Sequence, residues 1–240
     1  NNHLKGLLIA FFGIVILTPD AVLVRLADSD SWTVLFWRGI FFASGIIVIL
    51  LLTYRSKAVN ELISIGKEGV LIGILTALGG TSFILAIHYT TIAKTLVIIS
   101  ISPIMVAIIS LIMLKEEPEF YTWLSMIIVF IGIYIVMAGD SSGMNLMGNL
   151  FALTSVIIGG FSFTLLRKYK NVNMVPAMAV NGIVIAFIGF VFADSLVLSS
   201  QSMLYIFGSG MVLAVSFSLI TIAPRYMPAA EVGMIVPLET

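Results

Sequence analysis

Ala223 to Thr240 reads A-P-R-Y-M-P-A-A-E-V-G-M-I-V-P-L-E-T, an apolar stretch of transmembrane character that carries two carboxylates and three prolines. An earlier stretch, Ala86 to Pro103, reads A-I-H-Y-T-T-I-A-K-T-L-V-I-I-S-I-S-P and aligns with it without a gap. Ala86 meets Ala223, Tyr89 meets Tyr226, Ala93 meets Ala230 and Ile98 meets Ile235, while basic His88 meets basic Arg225. Each stretch follows two further apolar spans and closes the same hairpin. We therefore read the chain as two copies of one membrane unit that meet around these segments.

Composition sets the solvent. Of the 240 residues 60% are hydrophobic and 10% charged, and the mean hydropathy is +1.16. A soluble domain carries about 25% charged residues, so lipid is the medium that suits this chain. The formal charge is zero, which implies no basic face for nucleic acid. There is no cysteine, hence no disulfide framework and no thiolate chemistry. His3 and His88 are the two histidines, too few and too far apart for a histidine metal site.

A helix needs roughly 20 residues to cross the ~30 Å hydrocarbon layer. That ruler predicts spans at Leu7–Leu26, Thr33–Thr53, Gly69–His88, Ile92–Leu114, Tyr121–Ala138, Leu146–Leu166, Val175–Ala193 and Met203–Ile222, with a ninth starting near Met227. The runs are too long, and alternate too little, for a β-barrel. The first run has no cleavage site and reads as a first span rather than a signal peptide. The absent initiator Met and the ending inside span nine lead us to expect a piece of a longer protein.

Placing the amino terminus in the cytoplasm puts Lys5, Arg55, Lys57, Lys67, Lys115, Arg167, Lys168, Lys170 and Arg225 on the inner side, nine of the twelve basic residues. The outer loops hold Asp28, Asp30, Asp140 and Asp194, and the outer side also holds Arg25 and Lys94. This is the positive-inside pattern. One unit has five spans, so the second copy enters from the opposite side. Lys5-Gly6 before span one corresponds to Met147-Gly148 before span six, and Arg25 to Arg167. Inverted repeats of this kind place a substrate site at the midplane between the halves.

Small residues at helical spacing predict close helix packing: Gly69 and Gly73, Gly39 and Ala43, Gly182 and Ala186. Trp32, Tyr121 and Trp123 fall near span boundaries, where amphipathic rings anchor, whereas Trp37 is a cavity candidate.

Ionisable groups at membrane depth are candidates for function. Glu239 lies about twelve residues into span nine, roughly 18 Å deep at 1.5 Å per residue, and reads as a substrate or proton site. Asp20 follows Pro19, whose missing N–H interrupts span one. Arg38 lies at similar depth on the next span, so the two are expected to pair or to share a polar substrate. Lys94 and Glu231 occupy one repeat position with opposite charge, and each reads as a gate residue or a plain interfacial charge, Lys94 outside and Glu231 inside. Ser100, Ser102 and Pro103 bring hydroxyls and a helix irregularity to mid-depth, where Pro237, Glu239 and Thr240 answer them. Lys115-Glu116-Glu117-Pro118 reads as a loop and helix cap. HExxH, GxSxG, Walker A and GxGxxG signatures are all missing, so no enzyme is expected.

These motifs in this order resemble the EamA-type transporters of the drug/metabolite transporter superfamily. The residues that carry the resemblance are Phe36-Trp37-Arg38, His88-Tyr89-Thr90-Thr91-Ile92-Ala93, Ser102-Pro103 and Leu114-Lys115-Glu116-Glu117-Pro118 in the first copy. In the second they are Tyr226-Met227-Pro228-Ala229-Ala230-Glu231-Val232 and Pro237-Leu238-Glu239-Thr240. The resemblance implies an all-α membrane bundle of ten helices in two inverted five-helix repeats, here residues 1–139 and 140–240. The second would be truncated in its fourth helix. It implies a central cavity, here with Glu239, Asp20, Arg38, Ser102, Trp37 and Tyr89, and transport of small metabolites, often export of amino acids and related compounds, without a prosthetic group. The expected location is the plasma membrane, the inner membrane of a bacterium. Proton coupling and a homodimer stay open, as do a passive channel and a non-transporting scaffold or sensor.

Overall fold

The computed structural model describes residues 2–117, 123–124, 127–128, 131 and 145–235. Most of the expected fifth span, Asp140, Pro237, Glu239 and Thr240 lie outside the described residues. The described chain forms helices α1 (Asn2–Leu17), α2 (Asp20–Leu26), α3 (Ser31–Tyr54), α4 (Ala58–Ser64), α5 (Gly66–Tyr89), α6 (Ile92–Ile99) and α7 (Ser102–Leu114), then α8 (Leu146–Lys168), α9 (Ala177–Phe192), α10 (Ser200–Ile222) and α11 (Ala229–Ile235). Single 3-10 turns follow α3 and α10. Among the described residues there is no strand. Six segments are long and apolar enough to cross a membrane: His3–Leu26, Ser31–Ser64, Gly66–Tyr89, Lys94–Leu114, Leu146–Lys168 and Ser200–Arg225. The chain is a multi-pass membrane protein.

Two of the expected irregularities are present. Span one breaks between α1 and α2, where Pro19 cannot donate to the preceding turn and α2 starts anew at Asp20. Span four breaks between α6 and α7 ahead of Pro103. Proline leaves the carbonyl four residues back without its donor; here that carbonyl belongs to Ile99, and the Ser102 hydroxyl donates to it at 2.6 Å. The serine thus repairs the hydrogen bond that its neighbour removes.

The helices close into a ring. α1 packs on α10, α10 on α3, α3 on α9, α9 on α5, α5 on α8, α8 on α6 and α7, α7 on α11, and α11 returns to α1. Staves from the first and second parts of the chain alternate all the way round. The glycines set the closest approach: a Cβ on Gly39 would stand 2.5 Å from the Ala186 nitrogen, and one on Gly182 would stand 2.7 Å from the Ala43 nitrogen. The main core cluster draws Ile14, Phe42 and Ile46 from one part and Leu165, Met178, Leu213 and Ile220 from the other. Leu52, Ile63, Ile112, Phe187 and Leu204 point outward and are exposed, as side chains facing hydrocarbon should be.

Candidate functional site

Within the ring lies a cavity of about 220 Å³. Its lining comes from α1, α2, α3, α5, α6 and α7 of the first part of the chain and from α8, α9 and α10 of the second, interleaved round the ring. Four phenylalanines, Phe42, Phe83, Phe163 and Phe217, give its wall an aromatic character. Gly79, Gly80 and Gly159 leave space along it: a Cβ on Gly159 would meet nothing within 4 Å.

Asp20, Arg38 and Ser102 all line this cavity. Asp20 and Arg38 are joined as an ion pair through Oδ2 and Nη2. Ser209 of α10 completes the arrangement. Its hydroxyl accepts from Arg38 Nε at 3.1 Å and donates to Asp20 Oδ1 at 2.5 Å. All three residues are buried. A charge out of water is tolerated when it is both paired and hydrogen-bonded, and this triad meets both conditions. It also ties the start of α2, the first third of α3 and the middle of α10 together at the proline break.

Two other expected cavity residues sit elsewhere. Trp37 is not among the residues lining the cavity: its indole N–H donates to the Leu196 carbonyl at 2.8 Å, and its ring stacks on Phe41. A helix turns about 100° per residue, so Trp37 and Arg38 cannot share a face. Tyr89 lies at the end of α5, where it is 42% exposed and stacks on Phe151 of α8 at 5.7 Å.

The two gate candidates lie at opposite ends of the ring. Glu231 accepts from or pairs with His3, Nε2 to Oε2, at 2.5 Å, joining α11 to the start of α1. Nearby, Lys5 lies over the Tyr226 ring at 4.8 Å. Arg167 donates to Glu116 at 2.8 Å and to the Pro224 carbonyl at 2.9 Å on this same end, so Glu116 clamps helices beyond its expected place in a loop. At the other end Lys94 is buried in the first turn of α6, its backbone N–H donating to the Thr91 hydroxyl at 3.2 Å. There the α5–α6 turn rests on α8, where a Cβ on Gly148 would stand 2.7 Å from Thr90.

Three residues that sequence reasoning passed over belong to the site. Ser209 is one; Ser162 of α8 and Asn181 of α9 are the others, and both line the cavity. Among the described residues no group of three or more His, Cys, Asp or Glu side chains is placed to hold a metal.

A model of the EamA-like transporter family matches residues 4–138, more than half of the chain. A solved crystal structure superposes with a TM-score of 0.78 at 14% identity, covering 98% of this chain and 84% of its own. At that identity the likeness is one of fold. No curated protein matches the chain.

Proposed function

The chain belongs to the EamA-like transporter family, within the drug/metabolite transporter superfamily, and from that premise we propose that it is a secondary transporter that moves small amphipathic metabolites by alternating access. The observation that carries this reading is the cavity lined by both parts of the chain, with a compensated ion pair on its wall. Such a site at membrane depth suits a ligand that arrives from water and leaves to water.

We read the chain as two inverted five-helix repeats, residues 1–139 and 140–240. The order of neighbours in the ring supports this. Exchanging α1 with α8, α3 with α9, α5 with α10 and α6–α7 with α11 leaves the order of neighbours round the ring unchanged. The reciprocal approach of Gly39 and Gly182 fits a two-fold axis passing between α3 and α9. In this reading the His3–Glu231 contact closes one end of the cavity, and the other state opens that end and closes the end near Lys94. The excess of Lys and Arg on the Glu231 end supports a cytoplasmic side for it; the inner membrane of a bacterium is the proposed location and export the proposed direction. Glu239, outside the described residues, keeps the role its sequence position suggests, a carboxyl at mid-depth.

Counterflow in proteoliposomes tests the reading. Vesicles preloaded with a mixture of amino acids, amino-acid amides and small aromatic alcohols should take up labelled members of the same mixture saturably and with trans-stimulation. Uptake without saturation or trans-stimulation would point to a passive channel, and no uptake of any member would sink the proposal.

A further inference from the structure

Most polar side chains around the cavity are already engaged. Thr18 and Thr76 donate to carbonyls of their own helices, as does Ser102. Ser155 donates to the Gly79 carbonyl. Asp20, Arg38 and Ser209 satisfy one another. Thr221 also lines the cavity, with no side-chain hydrogen bond among the described residues, and two lining side chains go further, with polar atoms wholly cut off from solvent. Ser162 Oγ and Asn181 Oδ1 are buried and have no hydrogen-bond partner among the described residues, although the residues are only 4% and 2% exposed. Asn181 Nδ2 leans on Met178 Sδ at 4.0 Å. A thioether sulfur accepts and does not donate, so this contact orients the amide with its carbonyl as the unpaired end. Buried polar atoms in folded proteins are nearly always paired, and an exception calls for a reason.

The repeat supplies a second, independent relationship. In the alignment that pairs Lys5-Gly6 with Met147-Gly148 and Arg25 with Arg167, Asp20 falls on Ser162. In the alignment that pairs Gly39 and Ala43 with Gly182 and Ala186, Arg38 falls on Asn181. In the alignment that pairs Ala86 with Ala223, Ser209 falls on Ile72, which has no side-chain hydrogen-bonding atom. The ion pair of the first repeat, satisfied by Ser209 from the second, thus corresponds to an uncharged, unsatisfied pair in the second repeat, whose would-be partner in the first is the apolar Ile72.

We propose that Asn181 and Ser162 are the polar anchors of the substrate site, and that the substrate is an uncharged, mainly apolar molecule with an N–H or O–H that donates to the Asn181 carbonyl. This rests on the transport reading above and narrows it. Charge selects against ions. Among the described residues, Asp20 and Arg38 are the charged residues lining the cavity and they neutralise each other, so an incoming net charge finds no counter-ion among these side chains and loses its hydration. Size and shape select an aromatic body. A dry cavity of about 150 Å³ accepts benzene, so this one, at about 220 Å³, accepts a ring bearing a small polar group, with Phe42, Phe83, Phe163 and Phe217 against the ring. Within amino acids and related compounds, the favoured members are those whose charged ends are masked, such as amides and alcohols.

The test uses the purified full chain and matched probes. Binding of benzamide is compared with N,N-dimethylbenzamide, and benzyl alcohol with benzyl methyl ether, by calorimetry; benzoate and benzylammonium are the charged controls. Wild type should bind each donor about tenfold more tightly than its methylated twin, since the twin leaves the buried carbonyl unpaired. Asn181→Leu should bring that ratio close to one, and Ser162→Ala should lower it. Equal affinity for donor and twin in wild type overturns the inference, as does tighter binding of benzoate or benzylammonium, or no binding of any probe. The wild-type comparison decides even where a variant fails to fold. Flux in proteoliposomes separates the two readings. Selective binding without flux removes the transporter and leaves the anchors; flux of the charged controls that Asn181→Leu does not alter removes the anchors and leaves the transporter.

Discussion

Gly39 and Gly182 face one another across the α3–α9 crossing with no room for a side-chain carbon on either. A Cβ on Gly39 would lie 2.6 Å from the Gly182 carbonyl oxygen, and one on Gly182 would lie 2.8 Å from the Gly39 carbonyl oxygen. The obstacle in each case is backbone, which cannot rotate away. Gly39→Ala and Gly182→Ala should each force the helices apart and destabilise the fold by about 1–3 kcal/mol, the usual range for overpacking. Thermal melts of the purified variants read this directly. Gly159→Ala is the control: with open space around its Cβ it should leave the melting temperature unchanged or raise it slightly, as alanine is the better helix former. A control that melts as early as Gly182→Ala would remove close packing as the cause.

The Asp20–Arg38–Ser209 triad predicts a strict order of damage. Arg38→Met leaves a buried carboxylate without its partner, and Asp20→Asn leaves a buried guanidinium, each costing about 3–5 kcal/mol. Ser209→Ala removes one acceptor and one donor and should cost less, about 1–3 kcal/mol. The double variant Asp20→Leu/Arg38→Met removes both charges and should melt later than either single charge variant. A double variant that melts at or below the worse single one would show that the pair does not act as a unit.

How much of this was legible in the sequence depends on the range of each interaction. The break at Pro19, the break at Ser102-Pro103 and the glycine–alanine spacing of α3 and α9 are local, and each was readable from neighbouring residues. The partnership of Asp20 with Arg38 followed from equal depth on consecutive spans. Ser209 was not legible, because one serine in an apolar helix bonds as readily to its own preceding turn; Ser44, Ser100 and Ser218 do so here. Trp37 was misplaced because its neighbour Arg38 drew attention to the wrong face of α3. Asn181 and Ser162 carried a signal that was passed over: in the proposed repeat alignment each falls on a charged residue, and a search confined to ionisable groups skips the uncharged position.

Gly159 offers a way to fill the cavity without disturbing the fold. It lines the cavity and its Cβ position is open, so a large side chain there should enter the void rather than the helix packing. Gly159→Phe should therefore abolish counterflow while the melting temperature stays near that of wild type. Full flux through the filled variant would place the substrate path elsewhere.

The contact between His3 and Glu231 makes a sharper test of alternation. It joins the first turn of α1 to α11 at 2.5 Å, at the place where α11 closes the ring against α1. If that end opens during the cycle, the two residues must separate. The sequence contains no cysteine, so His3→Cys combined with Glu231→Cys introduces the only two thiols. A short bis-methanethiosulfonate linker should bridge them and hold that end shut. Counterflow in the bridged protein should fall to background and return when dithiothreitol cleaves the link, because closure of one end commits the other. The single variants, treated with the same reagent, should keep their flux and so exclude simple modification as the cause. Undiminished counterflow in fully bridged protein would mean that this end does not move and that the cycle, if there is one, uses a different hinge.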